Sequence, residues 1–205
     1  MRGYNEEEFI QLLMIQKIIA FFLLLALLPV FGMLWLVHRF TMGGDFIFRQ
    51  KRVGINQKPF MIYKIRTMIP DAEAQKKQLE KLNEADGPVF KMRNDPRYTP
   101  FGKWLSHSGL DELPQLWNIL KGDMAFVGPR PLPIDEASQI PKKYKARFTV
   151  LPGITSSWVV NGSHSLSFEE WMELDVKDAK NITDVNIFCI VYKTFIVIMK
   201  SVYSG

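Results

Sequence analysis

Ile18 to Val37 is a run of twenty residues without a charged side chain. About 20 consecutive apolar residues are what a helix needs to cross a bilayer's hydrocarbon core. A helix apolar on all sides is rare on a water-soluble domain. The run therefore points to a membrane anchor. A cleaved signal peptide is disfavoured, because the run is long, begins well inside the chain and has no small-residue cleavage site after it. Pro29 falls in its middle, where it removes the hydrogen bond to the Leu25 carbonyl and crowds that turn. A kink is expected there. Ile18 to Leu28 makes about 16 Å of helix, roughly half a hydrocarbon core. Two such arms can form a re-entrant hairpin that enters and leaves through one leaflet; a kinked spanning helix satisfies the residues equally. Lys17 lies on one flank and His38 and Arg39 on the other, so the distribution of positive charge does not choose between them.

The remainder is long enough for one packed domain, so residues 1–40 are expected as the anchor and 41–205 as the globular unit. The net charge of +5 suggests an anionic partner. No nucleic-acid motif is present, which leaves lipid headgroups or a phosphorylated substrate. The single cysteine, Cys189, excludes an internal disulfide framework and a multi-cysteine metal site, and its apolar surroundings predict a buried, inert thiol. No Walker loop and no dinucleotide fingerprint occurs.

The most concentrated chemistry lies between Gly109 and Pro131. Asp111 and Glu112 are adjacent, and Leu113, Leu116, Trp117 and Leu120 follow at the spacing of one apolar helix face. Pro114 suits a first helical turn, and Gly122 a helix end. The expectation is a helix that buries that face and carries both acids at its N-terminus. Asp111 there is either an N-cap or, since amides and the helix dipole keep a carboxylate ionised, a nucleophile or metal ligand. The stretch alone leaves both readings open. Gly128-Pro129-Arg130-Pro131 follows as a rigid turn that holds up one arginine.

Upstream, residues 46–68 read as two short strands joined by a turn at Gly54 to Lys58. Lys64 and Arg66 share one strand face and, with Arg49 and Arg52, form a basic ribbon; a solvated hairpin face is the plain alternative. A polar surface helix is expected from Pro70 to Ala85. Asp95 to Gly102 is a turn leading into a short helix, Lys103 to His107, with His107 a hydrogen-bonded surface residue. Ile134 to Val150 reads as helical and basic, and Asp184 to Tyr203 as an amphipathic closing helix, packed on the core or lying at the membrane interface.

Leu-Asp-Glu-Leu-Pro-Gln-Leu-Trp-Asn-Ile-Leu-Lys-Gly-Asp-Met from Leu110, followed by Val-Gly-Pro-Arg-Pro from Val127, resembles the signature of the bacterial sugar transferases, the monotopic phosphoglycosyl transferases. The resemblance runs from about residue 15 to 195. Ile65-Arg66-Thr67-Met68 resembles the end of the family's Lys-Phe-Arg-Thr-Met stretch. Asp95, Arg97, Thr99 and Gly102 match its Asp-x-Arg-x-Thr-x-x-Gly pattern, and Pro152-Gly153-Ile154-Thr155 its Pro-Gly-x-Thr loop. Leu166-Ser-Phe-Glu-Glu and Glu173-Leu-Asp175 resume the pattern after a gap. In that gap relatives continue with a Gly-x-Ala-Gln-Val-x-Gly-Arg stretch, whereas this chain has Ser156 to Ser163, with Trp158 added and the arginine missing. Residues 156–165 are where a changed sugar preference is expected.

The resemblance implies an α+β fold, mostly helical with a small antiparallel β-hairpin, an N-terminal re-entrant membrane helix hairpin and interfacial amphipathic helices. Leu28-Pro29 stands where the family has Ser-Pro. It implies a sugar 1-phosphate transferred from a UDP-sugar donor to a polyprenol (undecaprenyl) phosphate acceptor, with UMP released, on the cytoplasmic face of the inner membrane. Asp111 would be the covalent nucleophile and Glu112 its companion, the two also holding Mg²⁺ or Mn²⁺. Arg130, Arg97, Lys64 and Arg66 are the expected phosphate contacts; Pro129, Pro131, Arg147 and Asp175 complete the expected nucleotide-sugar site. A homodimer is left open. The rival reading is a catalytically inactive membrane scaffold of an envelope polysaccharide complex.

Overall fold

The structure, a computed structural model, describes residues 6–92, 94–162, 166–181 and 184–204. The first residues of the anchor segment, 1–5, and the end of the divergent loop, 163–165, lie outside the described residues.

Two helices replace the single apolar run. α1 (Glu6–Ala26) and α2 (Leu28–Thr41) meet at Leu27, two residues before the expected kink, and Pro29 sits in the first turn of α2, where its missing N–H costs least. Helical structure begins well ahead of the charge-free run, and Glu7–Ala26 is the stretch long and apolar enough to cross a membrane. Both arms also dock on the globular part. Gln16 and Ala20 of α1 are buried, and the Phe126 N–H donates to Gln16 Oε1 at 2.9 Å. Leu34 of α2 is buried against Ile65 and Leu105.

β1 (Ile47–Val53) and β2 (Pro59–Ile65) form the expected antiparallel hairpin. Its register sets Arg52 opposite Phe60 and Phe48 opposite Lys64, so Arg52 and Lys64 share a face. Arg49, opposite Tyr63, projects from the other face, and the four-cation ribbon is thereby divided. α3 (Ala72–Leu79) is the polar surface helix. α4 (Pro100–Ser108) follows the Asp95–Gly102 motif, and each fixed residue of that motif has a local mechanical reason. Asp95 accepts from the Arg97 backbone and guanidinium, and Thr99 Oγ1 caps α4 by accepting from the Gly102 N–H at 3.0 Å. A Cβ on Gly102 would stand 1.8 Å from the Thr67 carbonyl oxygen, so only glycine lets these backbones meet.

α5 (Gln115–Lys121) ends at Gly122, whose φ of 85° is left-handed. Its buried residues are Gln115, Leu116, Asn118 and Ile119, not the expected face: Trp117 is 48% exposed. Asn118 explains the rotation. Its amide donates to the Met61 carbonyl at 2.6 Å and accepts from the Tyr63 N–H at 3.2 Å, satisfying the open edge of β2. That bond fixes which side of α5 faces the sheet.

β3 (Ala125–Val127) pairs in parallel with β5 (Gly153–Thr155), and β4 (Leu132–Pro133) adds to β1. α6 (Ile134–Ser138) is short. The expected helix from Ile134 to Val150 breaks at Ile140-Pro141 and resumes as 3₁₀ turns over Lys142–Thr149. α7 (Ser157–Val160), α8 (Phe168–Asn181) and α9 (Asp184–Ser204) complete the chain. The core beneath them joins Leu132, Tyr144, Phe148, Trp171 and Met172. Exposed large apolar side chains concentrate on α1, α2 and α9, and Trp104 on α4 and Trp117 on α5 are exposed as well. Cys189 is exposed on α9, contrary to the buried thiol its apolar neighbours suggested; those neighbours are themselves largely outward-facing.

Candidate active site

Gly109 ends α4 with a φ of 70°, and the chain then turns through one 3₁₀ turn, Leu110–Glu112, before Pro114 starts α5. Asp111 and Glu112 thus lie on the turn between two helices. Neither is an N-cap: Pro114 holds that position in α5. The simpler structural reason for an aspartate at 111 is therefore removed.

Asp111 is buried, and Lys64 reaches it from β2, with Nζ 3.5 Å from Asp111 Oδ2 and 2.7 Å from Glu112 Oε1. Arg130 Nη1 lies 3.6 Å from the same Glu112 oxygen. Two carboxylates and two cations therefore share one small volume. The acids are made unequal by their surroundings. Burial pushes the Asp111 carboxyl up to about 6, against the pull of Lys64, with Glu112's charge adding to the rise. Burial also acts to raise Glu112, but Lys64, Arg130 and Arg52 outweigh it and hold that carboxyl below its usual range. Glu112 is thus the acid its surroundings favour in the ionised form, and Asp111 the one whose ionisation is shifted up towards neutrality.

Arg130 is held up by a turn in which the carbonyls of Pro129, Arg130 and Pro131 each have a donor. The Gly153 N–H donates to the Pro129 carbonyl at 3.1 Å, Arg147 Nη2 to the Arg130 carbonyl at 2.8 Å, and Arg52 Nη1 to the Pro131 carbonyl at 3.1 Å. Pro129 and Pro131 are buried while Arg130 between them is partly exposed. Gly128 and Gly153 allow the two loops to touch, since a Cβ on Gly153 would stand 2.1 Å from the Gly128 nitrogen. Arg52 brings a third cation. Its guanidinium is held below its ordinary value, to about 10, by burial and then by Arg130, and it remains charged.

Four of the sequence-derived candidates therefore converge: Asp111, Glu112, Lys64 and Arg130. Pro129 and Pro131 support them. Arg147 and Asp175 are not open to a ligand. They form a buried pair, Arg147 Nε and Nη2 donating to Asp175 Oδ2 at 3.0 and 2.6 Å, and their link to the site is the bond to the Arg130 carbonyl. Arg97 is turned elsewhere: its guanidinium is buried, paired with Asp95 at 2.6 Å and donating to the Ala72 carbonyl. Arg66 lies at the open end of the hairpin, its Nε donating to the Asp45 carbonyl. Sequence reasoning placed Arg52 in the ribbon without assigning it to the site; its position opposite Phe60, on the Lys64 face, was the available signal. It did not assign Trp158 or Asn118.

Among the described residues no cluster of three or more metal-ligating side chains occurs. The donor set nonetheless suits a hard divalent cation, because Mg²⁺ is commonly held by one or two carboxylates with substrate phosphates completing its shell. Two adjacent acids, one of them held below its usual range by neighbouring cations, are that kind of donor set.

A family model described as bacterial sugar transferase matches residues 8–201. The galactosyl transferase CpsE of Streptococcus agalactiae is 44% identical over 136 residues, 66% of this chain and 30% of that relative. The undecaprenyl-phosphate galactose phosphotransferase of Salmonella typhimurium is 35% identical over 177 residues, 82% of this chain and 36% of the relative. The chain spans about a third of the length of these curated relatives. The exopolysaccharide production protein ExoY of Sinorhizobium fredii is nearer in size: 32% identical over 181 residues, 86% of this chain and 80% of the relative.

Proposed function

The chain belongs to the bacterial sugar transferase family, and from that premise we propose that it transfers a sugar 1-phosphate from a UDP-sugar to a polyprenol phosphate. The observation that carries the reading is a buried aspartate, Asp111, beside Lys64 and next to a Glu112 that Arg130 approaches, with its capping role already taken by Pro114. An Asp111 oxygen attacks the sugar-bearing phosphorus. A new O–P bond forms, the bond from that phosphorus to the bridging oxygen breaks, and UMP leaves with the electron pair. A phosphate oxygen of the polyprenol phosphate then attacks the same phosphorus and displaces the Asp111 carboxylate. The product is a polyprenol diphosphosugar, and the enzyme is restored. Splitting one displacement into two lets a single site serve a water-soluble donor and a lipid acceptor in turn.

Each neighbour has a part. Lys64 holds the two carboxylates together before substrate arrives and meets phosphate charge afterwards. Arg130 presents a planar fork suited to phosphate oxygens. Arg52 adds positive potential and fixes the Pro131 carbonyl. Glu112, with Asp111, would hold Mg²⁺ or Mn²⁺, which when bound neutralises phosphate charge. UMP release from a panel of UDP-sugars, with membrane acceptor present, tests the reading. Release is expected with at least one donor, and EDTA should abolish it; a chain inert to every donor is a scaffold, and release unaffected by exhaustive chelation removes the metal.

The anchor reading is finer. Both arms of the broken apolar segment pack on one globular unit, through Gln16 and Ala20 on one side and Leu34 on the other. That supports a re-entrant hairpin lying in one leaflet, with Asp111 at the cytoplasmic headgroup level. Glu7→Cys and Lys58→Cys in a Cys189→Ser background test it with an impermeant thiol reagent. Both sites should label only from the cytoplasmic side; labelling of Glu7→Cys from the opposite side shows a true span.

A further inference from the structure

Arg130 has a well-fixed backbone and a loosely held side chain. Its Nη1 stands 3.6 Å from Glu112, beyond hydrogen-bond length, and among the described residues its guanidinium closes no hydrogen bond. A long side chain in that state samples many rotamers. Besides that loose ion pair, a ring contact restrains it: Arg130 Cζ lies 5.7 Å from the centroid of the Trp158 ring, within cation–π range.

The ring is itself immobilised. Trp158 stacks on Trp171 with centroids 4.4 Å apart and planes 19° apart, and Trp171 is buried in the main core. The start of α7 is tied to α8, where the Ser157 N–H and hydroxyl donate to the two Asp178 oxygens at 2.9 and 2.6 Å. The path from the core of α8 to the guanidinium is therefore rigid up to the last contact.

We propose that Trp158 is a positioning residue that holds the Arg130 guanidinium through a cation–π contact with its indole ring and so keeps the unused N–H fork near the phosphate groups beside Asp111 and Glu112. A guanidinium held by a ring rather than by a hydrogen-bonding partner keeps its N–H donors free for an anion. Holding that edge in place before the donor arrives lowers the ordering cost at the moment of reaction. The consequence for the reaction rests on the transferase reading; the positioning itself does not.

The experiment compares Trp158→Phe and Trp158→Leu with the unchanged chain, each also in an Arg130→Ala background. The phenylalanine keeps a ring face, and the leucine keeps apolar bulk against Trp171 without one. Two readouts are taken in the full-length protein: the Arg130 Nε–H resonance and the rate of UMP release. In the unchanged chain the resonance should be displaced by the indole ring current; Leu should abolish the displacement and Phe retain part of it. Leu should slow UMP release by about 3- to 30-fold, mainly in kcat, with Phe intermediate. In the Arg130→Ala background the Leu change should cost nothing further. An Arg130 resonance unmoved by Trp158→Leu overturns the proposal, as does an equal loss with and without Arg130. If the unchanged chain releases no UMP from any donor, the transferase reading fails while the resonance still decides the positioning.

Discussion

Asp111→Asn is expected to stop transfer and to stabilise the protein at the same time. Loss of a covalent nucleophile lowers turnover on the order of 10,000-fold or more. The gain in stability follows from the environment of the carboxyl, which burial raises to about 6 in the folded chain. A carboxyl raised on folding favours the neutral form. Its contribution is fully present below the unfolded value, near 3.9, and is lost as pH rises through about 6. At pH 8 the fold therefore carries an ionised group it would rather hold neutral, at a cost of up to about 3 kcal/mol. Asparagine removes that cost. The melting temperature of Asp111→Asn should exceed that of the unchanged protein at pH 8 by several degrees, and the difference should shrink towards pH 5. The same ionisation should make UMP release rise with pH through about 6. A variant that is less stable at pH 8, or that keeps substantial turnover, contradicts the assignment.

Arg147→Met is expected to be the most destabilising single change near the site. The pair with Asp175 is buried on both sides, at 2% and 0% exposure. Burial already pushes the Asp175 carboxyl up to about 6, with Arg147 opposing the rise. Without the guanidinium, Asp175 faces the apolar core uncompensated, and breaking such a pair costs roughly 3–5 kcal/mol. For a chain of this size that lowers the melting temperature by roughly 6–20 °C. The double variant Arg147→Met, Asp175→Leu should recover most of that stability, because no charge is left buried. It should not recover turnover, because the Arg130 carbonyl still lacks its donor. Recovery of both would show that the pair serves the fold alone.

Features written in consecutive residues were legible. The Gly-Pro-Arg-Pro turn, the hairpin over 46–68 and the helix stop at Gly122 each depend on local backbone chemistry, and each appears in the fold. The Asp111–Glu112 dyad was legible as a chemical candidate by its motif, and Lys64 by its strand face. What failed depended on distant partners. Strands of three residues, β3 and β5, leave no periodic trace, and their parallel pairing is decided by the glycines that let residues 128 and 153 touch. The apolar spacing in α5 pointed Trp117 inward, but Asn118 is claimed by the β2 edge and turns the tryptophan out. Arg97 reads as a free cation in sequence and is consumed by Asp95 two residues away. Cys189 reads as a buried thiol because a helix that exposes its apolar face looks, in sequence, like one that buries it.

The central claim is that Asp111 becomes covalently bound to the sugar phosphate. Incubation with an accepted UDP-sugar in the absence of polyprenol phosphate, followed by rapid quench and intact-mass and peptide analysis, tests it directly. The expected result is up to one equivalent of UMP per chain, matched by a sugar-phosphate adduct on the peptide carrying Asp111 that disappears when acceptor is added. UMP released only with acceptor present, with no adduct on Asp111 at any time, would mean direct transfer between donor and acceptor and would contradict it.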